Sequence, residues 1–157
     1  MTTWFTSDHH FNHKNILVYD GRPFSSIEEM NETLIERYNS KVTDDDLVYF
    51  LGDIFFNDKA FAEAAMKRMR GRKQLVMGNH DRMSVTRFKV MGFENVYKKQ
   101  ALALIAGRRC LLTHYPQHFV PELVKMEFFL HGHTHTRRKA LGRNIHVGVT
   151  AWDYFPA

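Results

Sequence analysis

Five short clusters rich in histidine, aspartate, asparagine and glycine punctuate this chain. They are Asp8-His9-His10, Gly52-Asp53, Gly78-Asn79-His80-Asp81, Thr113-His114-Tyr115 and Gly132-His133-Thr134-His135. Imidazole nitrogens and carboxylate oxygens are side-chain atoms that hold divalent transition metals. Their recurrence in five places raises the question of whether this chain is a hydrolase that uses two metal ions.

Each cluster comes directly after a short apolar run. The pair Trp4-Phe5 precedes the first cluster, and residues 47–51, the most hydrophobic run, precede the second. In an α/β fold, ligands bind where the carboxyl ends of the strands meet. We therefore expect the five clusters to lie on loops that face one site.

The first half of the chain alternates predicted strands with predicted helices. Strands are predicted at residues 4–6, 47–51 and 74–77. A first helix is predicted to begin after a cap at Ser25 or Ser26. Two further helices are predicted at 58–69, ending before Gly71, and at 84–91, ending before Gly92. Helical spacing of apolar residues supports the first of these helices, and glycine is a common helix stop. The three aspartates at 44–46 are predicted to form a solvated turn.

After residue 93 the pattern consists mostly of strands. They are predicted at residues 96–97, 102–105, 109–113, 128–130 and 144–149, with a hairpin turn at 106–108. Alternating strands and helices followed by strands indicate an α/β sandwich of two sheets covered by helices. A length of 157 residues fits a single domain, 1–157.

The spacing within each cluster suggests which side chains act together. Asp8 and His10 are two residues apart, so in an extended segment they point to the same side, while His9 points away and is interpreted as a packing residue. The two oxygens of Asp53 could bridge two cations. His114, taken alone, is more typical of a structural histidine than of a ligand.

The order of the five clusters resembles the calcineurin-like metallophosphoesterase superfamily. The matching pattern is Asp-x-His, Gly-Asp, Gly-Asn-His-Asp, His and Gly-His-x-His, running from Asp8 to His135. The opening segment, residues 6–16, is similar to that of small, mostly bacterial and phage phosphoesterases. The resemblance implies a four-layer αββα sandwich of two mixed β-sheets flanked by helices.

The resemblance also implies a centre with two divalent metal ions. One ion would be held by Asp8, His10, Asp53 and His135, and the other by Asp53, Asn79, His114 and His133, so that Asp53 bridges them. A hydroxide shared by the metals would attack phosphorus, and His80 would protonate the leaving oxygen. A ligand set of nitrogen and oxygen fits Mn²⁺ or iron, with Zn²⁺ and Ni²⁺ as alternatives.

One position departs from the family pattern. Many members carry an acid three residues after the bridging aspartate, where it orients the catalytic histidine, whereas this chain has Phe56. Asp81, Asn57 and Asp58 are the alternatives that the sequence offers for orienting His80.

Further residues near the clusters are assigned by their position in the chain. His13 and Asn12 are predicted to contact substrate, while Arg22, Arg82 and Tyr115 are weaker candidates. His118, His131 and His146 fall outside the pattern and are interpreted as structural. An extra cation near the metals would favour a phosphomonoester, but the sequence does not locate Arg22, Arg82 or Arg137 well enough to decide.

Composition narrows the functional classes. The net charge is +5, and two basic runs, at 67–73 and 137–139, are interpreted as solvated surface. No run approaches the roughly 20 apolar residues that span a bilayer, and neither a signal peptide nor a membrane partner is expected. The single cysteine, Cys110, excludes an internal disulfide and fits a cytoplasmic protein.

The short chain leaves little material for a cap domain, so we expect an open cleft. The leading prediction is a phosphodiesterase for small nucleotide-like substrates. A phosphomonoesterase is the alternative. A nuclease and a non-catalytic binding scaffold rank lower, the scaffold because the ligand set is complete. The oligomeric state is left open.

Overall fold

A computed structural model describes residues 1–56, 58–118 and 125–157. The strands are β1 (Thr3–Thr6), β2 (Leu47–Phe50), β3 (Arg72–Val76), β4 (Phe93–Tyr97), β5 (Gln100–Ile105), β6 (Arg108–Thr113), β7 (Phe128–His131), β8 (Ala140–Leu141) and β9 (Asn144–His146). The helices are α1 (Ile16–Tyr19), α2 (Ile27–Lys41), α3 (Lys59–Arg68), α4 (Val85–Val90) and a 3-10 turn at Val149–Ala151.

The first sheet consists of β1, β2, β3 and β4 in that order, and every described pairing in it is parallel. Parallel neighbours require a crossover, which α2, α3 and α4 supply. All four strands therefore end at the same edge, where the first three clusters follow.

The second sheet is mixed, with the order β5-β6-β7-β9-β8. The hairpin between β5 and β6 turns at Ala106 and Gly107, whose φ angles are +48° and +76°. Two consecutive positive φ angles suit the twist of a tight hairpin. The strands β6, β7 and β9 are parallel, so the His114 and His133–His135 loops leave this sheet on one side.

The hydrophobic core has two layers, which follow from alternation along the strands. On β2, Val48 and Phe50 pack beneath the helices, while Tyr49 and the following Leu51 face the second sheet. Alternate residues of a strand point to opposite faces. A strand buried on both sides therefore needs the continuous apolar run seen at 47–51.

The predicted α/β sandwich of two sheets flanked by helices is confirmed, but only the second sheet is mixed, since every described pairing in the first is parallel. The helix caps lie close to their predicted positions. The side chains of Ser26, Asp58 and Ser84 each accept a backbone hydrogen bond at a helix start. Asp58 is thus a cap rather than the first helical residue. The short elements α1 and β8 were not predicted, because four and two residues show no periodicity.

The prediction of a solvated turn at 44–46 is wrong for Asp46. Its carboxylate is buried and accepts hydrogen bonds from the Thr2 N–H (2.6 Å), the Thr43 N–H (2.9 Å) and the Trp4 indole N–H (3.2 Å). Asp44 and Asp45 are exposed as expected. Asp46 therefore ties the start of β1 to the start of β2.

The predicted strand at 144–149 ends early, at His146, and gives way to the 3-10 turn. Gly148 bridges to Ser7 beside β1, which joins the two sheets below the site. Among the described residues, no helix has the length and apolar character to cross a membrane.

Candidate metal centre

Three of the five loops that carry the clusters contain residues in the left-handed region. Positive φ angles occur at Asp8 (+58°), His10 (+51°), Asp53 (+53°), His133 (+68°) and His135 (+49°). Aspartate and histidine tolerate this region better than bulkier residues, and such conformations concentrate at functional sites. Asp8 and His10 do face one site as predicted, but through alternating left-handed residues rather than an extended segment.

Backbone hydrogen bonds join the first loop to the second. The Asp8 N–H donates to the Gly52 carbonyl (3.0 Å), the His10 N–H to the Asp53 carbonyl (3.1 Å) and the Phe11 N–H to the Ile54 carbonyl (2.8 Å). The first two clusters are therefore held side by side before any metal binds.

Glycines allow the other loops to approach. A Cβ atom on Gly52 would lie 2.5 Å from the Gly78 nitrogen, and one on Gly132 would lie 2.6 Å from Asp8 Oδ2. Real Cβ atoms do not come so close, so any larger residue would push these loops apart. These glycines thus have a packing reason, and Gly52, whose φ is +90°, has a conformational one as well.

Asp8, His10 and His135 form a first group of possible ligands. Their donor atoms lie within 4.8 Å of one another, and the His10 and His135 Nε2 atoms are 3.2 Å apart. Both Asp8 oxygens accept a hydrogen bond from the His133 N–H (3.0 Å), and Oδ2 accepts another from the Ser7 hydroxyl (2.7 Å). These contacts fix the carboxylate in a buried position.

Asp53, His114 and His133 form a second group with the same spacing. The Oδ1 atom of Asn79 lies 3.1 Å from His114 Nε2, so the amide oxygen joins this group. The arrangement matches the second ligand set implied by the resemblance.

Asp53 lies between the two groups. Its Oδ2 atom is 3.7 Å from His10 Nε2 and 3.3 Å from His114 Nε2. One carboxylate oxygen thus faces a histidine of each group, as the predicted bridging role requires. All donors are nitrogen or oxygen, the chemistry that suits Mn, Fe, Zn or Ni.

The pKa values of His10 and Asp53 favour metal binding. Those of three other groups shift the opposite way: burial raises the pKa of Asp8, and although burial acts to lower the pKa of His114 and His135, neighbouring carboxylates outweigh it and raise both. Burial lowers the pKa of His10 to about 2, which leaves it neutral. Burial acts to raise the pKa of Asp53, but the hydrogen bond and charge of His114 outweigh it and lower the pKa to about 2. Neutral imidazole and ionised carboxylate are the forms that bind metals.

Two histidines are oriented by contacts on their far side. His114 Nδ1 donates to the Leu51 carbonyl (2.8 Å), which leaves Nε2 free to face Asp53. His135 Nδ1 lies 3.2 Å from Asp20 Oδ2, which directs its Nε2 toward Asp8. Contacts of this kind set the tautomer and aim of a metal-binding histidine.

The sequence alone does not identify Asp20 as a residue of the site, and it makes Arg22 a candidate for contacting substrate. The Arg22 side chain is buried and donates to the Asp8 carbonyl (2.7 Å), the His9 carbonyl (2.7 Å) and Asp20 (2.9 Å). Its donor groups are therefore engaged within the fold, where they support the loop that carries Asp8 and His9. The only signal was the polar break Asp20-Gly21-Arg22 after an apolar run.

His80 lies beside the ligands and is partly exposed, with Nε2 4.0 Å from Asp53 Oδ2. Phe56, which replaces the usual acid, packs against its ring with the centroids 5.7 Å apart, and His10 packs on it edge-on at 5.4 Å. Among the described residues, no side chain hydrogen-bonds to the His80 ring. Aromatic packing therefore replaces the missing carboxylate contact.

The acids considered for orienting His80 are engaged elsewhere. Asp81 accepts hydrogen bonds from the Asp53 (2.8 Å), Ile54 (3.1 Å) and Gly78 (2.8 Å) N–H groups, and burial raises its pKa to about 6. Asp58 accepts from Asn12 and from the Phe61 N–H. Asn57 lies outside the described residues.

Of the two residues predicted to contact substrate, His13 lies at the rim of the site and Asn12 is hydrogen-bonded within the fold. His13 stacks on Phe56 with ring centroids 4.0 Å apart and lies next to His10, at the rim of the site. The Asn12 amide donates to Asp58 (2.7 Å) and accepts from Asn31 (3.3 Å). Both ends of that amide are occupied within the fold, which argues against the predicted contact of Asn12 with substrate.

The remaining residues considered in the sequence lie at the site, in the interior or on the surface. Tyr115 lies at the site, with its hydroxyl donating to Asn79 Oδ1 (3.3 Å) and its ring centroid 4.5 Å from that of His133. His146 lies behind Asp8 at 3.8 Å and packs on His131, so both are interior residues as interpreted. His118 and Arg137 are exposed.

The family model of the calcineurin-like phosphoesterase superfamily domain matches residues 1–147. Relatives include an uncharacterized protein of Methanocaldococcus jannaschii, 33% identical over 98% of this chain and 84% of the relative. The gene 66 protein of Mycobacterium phage L5 is 31% identical over 96% of this chain and 87% of its own length.

Two solved structures share the fold. A protein of unknown function from Aquifex aeolicus has a TM-score of 0.79 at 26% identity, covering 99% of this chain and 95% of its own. A novel archaeal phosphodiesterase has a TM-score of 0.61 at 19% identity, covering 93% and 82%.

A two-sheet α/β sandwich with paired histidine–aspartate groups at one edge defines the class of metal-dependent phosphoesterases. Within that class, this chain belongs to the calcineurin-like phosphoesterase superfamily.

Proposed function

We propose that this protein is a phosphodiesterase that uses two divalent metal ions, Mn²⁺ being the first to test, on small nucleotide-like diesters. The observation that carries the proposal is the position of Asp53 Oδ2 between the two histidine groups, 3.7 Å from His10 and 3.3 Å from His114. When bound, two divalent cations lower the pKa of water and neutralise charge on the phosphate.

Side chains of the protein would bind the metal ions, donate a proton and contact the substrate. Asp8, His10, Asp53, Asn79, His114, His133 and His135 would hold the ions. His80, whose Nε2 is 4.0 Å from Asp53 Oδ2, would hold a proton at that nitrogen and deliver it to the leaving oxygen. His13, at the rim, would contact the substrate.

The position of Arg22 supports a diester over a monoester, while Arg82 lies in a cavity beside His80. Arg22, a cation that could have neutralised a second phosphate charge, is turned toward two backbone carbonyls.

The edge that carries His133 and Tyr115 is exposed, which suits a small or accessible ester and supports the open cleft predicted from chain length. We infer that the substrate is nucleotide-like because Tyr115 offers an exposed ring beside the ligands. A cytoplasmic location belongs to this proposal.

The test compares bis-p-nitrophenyl phosphate with p-nitrophenyl phosphate on metal-stripped protein, with and without added Mn²⁺. We expect Mn²⁺-dependent turnover that prefers the diester, and none in Asp53→Asn, which also binds metal weakly. Preference for the monoester would replace the proposal with a phosphatase. Bound metal without turnover of either ester would point to a binding protein.

A further inference from the structure

A depression beside His80 leads away from the metal centre. Its inner part is a cavity of about 90 Å³ lined by His80, Lys59, Arg82, Met83 and Phe55 among others. Its outer part, of about 420 Å³, shares Lys59, Arg82 and Met83 and adds Ser84 and Arg87. The shared residues make the two parts continuous from His80 to the surface.

The acidic residues in this wall are already engaged. Asp81 accepts three backbone N–H groups, and Asp58 caps α3 and binds Asn12. Of the cations, Arg87 is paired with Glu63 at 2.8 Å. Lys59 and Arg82 have no carboxylate within ion-pair distance among the described residues, and both are exposed. Lys59 and Arg82 are therefore the cations of the depression that have no carboxylate partner among the described residues, whereas Asp58 and Asp81 in the same wall are each held by neutral N–H donors.

The backbone fixes these charges relative to the reacting centre. The Arg82 N–H donates to the His80 carbonyl (2.9 Å), so Arg82 follows His80 in a closed turn. Lys59 is the first residue of α3, whose cap Asp58 is held by Asn12 from the first loop. Both cations are thus anchored to residues that contact or neighbour the ligand loops.

The size of the inner cavity suits a small anion. Its volume of about 90 Å³ leaves room for several water-sized groups, which is adequate for a phosphoryl group. Guanidinium and ammonium groups bind phosphate by charge-assisted hydrogen bonds. Arg82 and Lys59 offer one of each.

We propose that Lys59 and Arg82 form an anion subsite that binds a non-reacting phosphate of the substrate while the scissile phosphate lies at the metals. This inference rests on the proposed function. The second phosphate has two possible sources, the terminal phosphate of a mononucleotide or the neighbouring backbone phosphate of an oligonucleotide.

The experiment uses pairs of substrates that differ in one phosphate. The first pair is a nucleoside 2′,3′-cyclic phosphate with and without a 5′-phosphate, and the second is a dinucleotide with and without a 5′-phosphate. We expect kcat/KM to be about tenfold higher for the phosphorylated member of at least one pair, the scale of one charge-assisted contact. The pair that shows the preference identifies the source.

Substitution then assigns the preference to the subsite. Arg82→Ala and Lys59→Ala should abolish most of the preference through KM, while Arg82→Lys retains part of it. Lys89→Ala removes an exposed cation of α4 outside the depression and serves as the matched control. Metal content and thermal midpoint are measured for every variant, so that a damaged metal centre is recognised.

The outcomes separate this inference from the proposed function. Turnover of bis-p-nitrophenyl phosphate without any preference within either pair overturns the subsite and leaves the phosphodiesterase standing. A preference that Arg82→Ala and Lys59→Ala both retain also overturns it. Absence of metal-dependent turnover on every diester overturns the proposed function, and the subsite with it.

Discussion

His80 occupies the position of the family's catalytic histidine, but its ring is held by aromatic packing instead of by a carboxylate. Its ring packs against Phe56 and His10 at the rim of the site, where the usual carboxylate would have oriented it. A ring held by packing alone has more freedom than one held by a hydrogen bond. We therefore expect proton donation by His80 to fall at the lower end of the range for general acids.

His80→Ala should lower kcat by about 10²-fold while both metals remain bound. The loss should be larger for an alkyl ester than for a p-nitrophenyl ester, because p-nitrophenolate leaves without a proton. Steady-state kinetics on both esters and elemental analysis of the variant check this. A variant that loses its metals would make His80 a ligand and overturn the assignment.

We expect Asp20 to act as a positioning residue for one metal only. Its carboxylate lies 3.2 Å from His135 Nδ1, whereas His114 is oriented by the Leu51 carbonyl, which substitution of a side chain cannot remove. Asp20→Ala should therefore weaken one of the two metals by about 10–100-fold and leave the other in place.

Metal titration followed by calorimetry measures this asymmetry. Asp20→Asn, which can still hydrogen-bond to the imidazole, should recover part of the affinity. Asp44→Ala, at an exposed aspartate, is the control. Equal weakening of both metals would show that Asp20 acts on the whole site rather than through His135.

At the scale of elements, Asp46 ties β1 to β2 at the end of the sheet opposite the metal loops. Hydrogen bonds from the Thr43 and Thr2 N–H groups hold its pKa well below the ordinary 3.8. A carboxyl whose folded-state pKa is depressed contributes stability above its unfolded pKa and loses that contribution as the pH falls toward the folded value.

Asp46→Ala should accordingly lower the thermal midpoint at pH 7, and its deficit should shrink below about pH 3.8. The measurement is thermal unfolding of metal-free wild type and variant across this range, since metals dissociate in acid. The neighbouring exposed Asp45→Ala should show no deficit. A deficit for Asp46→Ala that is constant with pH would mean that packing, not charge, is what the variant loses.

At the scale of the whole molecule, the metal centre joins the two sheets. Asp8, His10, Asp53 and Asn79 follow strands of the first sheet, and His114, His133 and His135 follow strands of the second. Cations bound between them should therefore stabilise the folded chain as a unit.

Mn²⁺ at about 100 times its dissociation constant should raise the thermal midpoint by about 5–10 °C per bound ion. Calorimetry of stripped protein with increasing Mn²⁺ measures the shift, and Asp53→Asn, which lacks the central carboxylate charge, should show a much smaller one. An unchanged midpoint in wild type would mean that the groups do not bind Mn²⁺ in the folded state.

Much of the fold could be predicted because its elements are indicated by patterns of neighbouring residues in the sequence. The apolar run at 47–51, the capped helices and the glycine turns each carry their signal within about ten residues. Short elements such as α1 and β8 could not be found, because four or two residues do not establish a period. Asp46 was misjudged because two of its three donors, the Thr2 N–H and the Trp4 indole N–H, lie 44 and 42 residues away along the chain.

The types of ligand, the order in which the loops supply them and, through the resemblance, the bridging position of Asp53 could all be predicted from the sequence. The folded structure was needed to find that Asp20 supports His135, that Phe56 packs on His80 and that Arg82 and Lys59 share one depression. The physical reason is that a spacing rule acts along one element, whereas these contacts join loops from different strands. Their distances depend on strand order, on glycines that let backbones approach, and on the packing between the sheets.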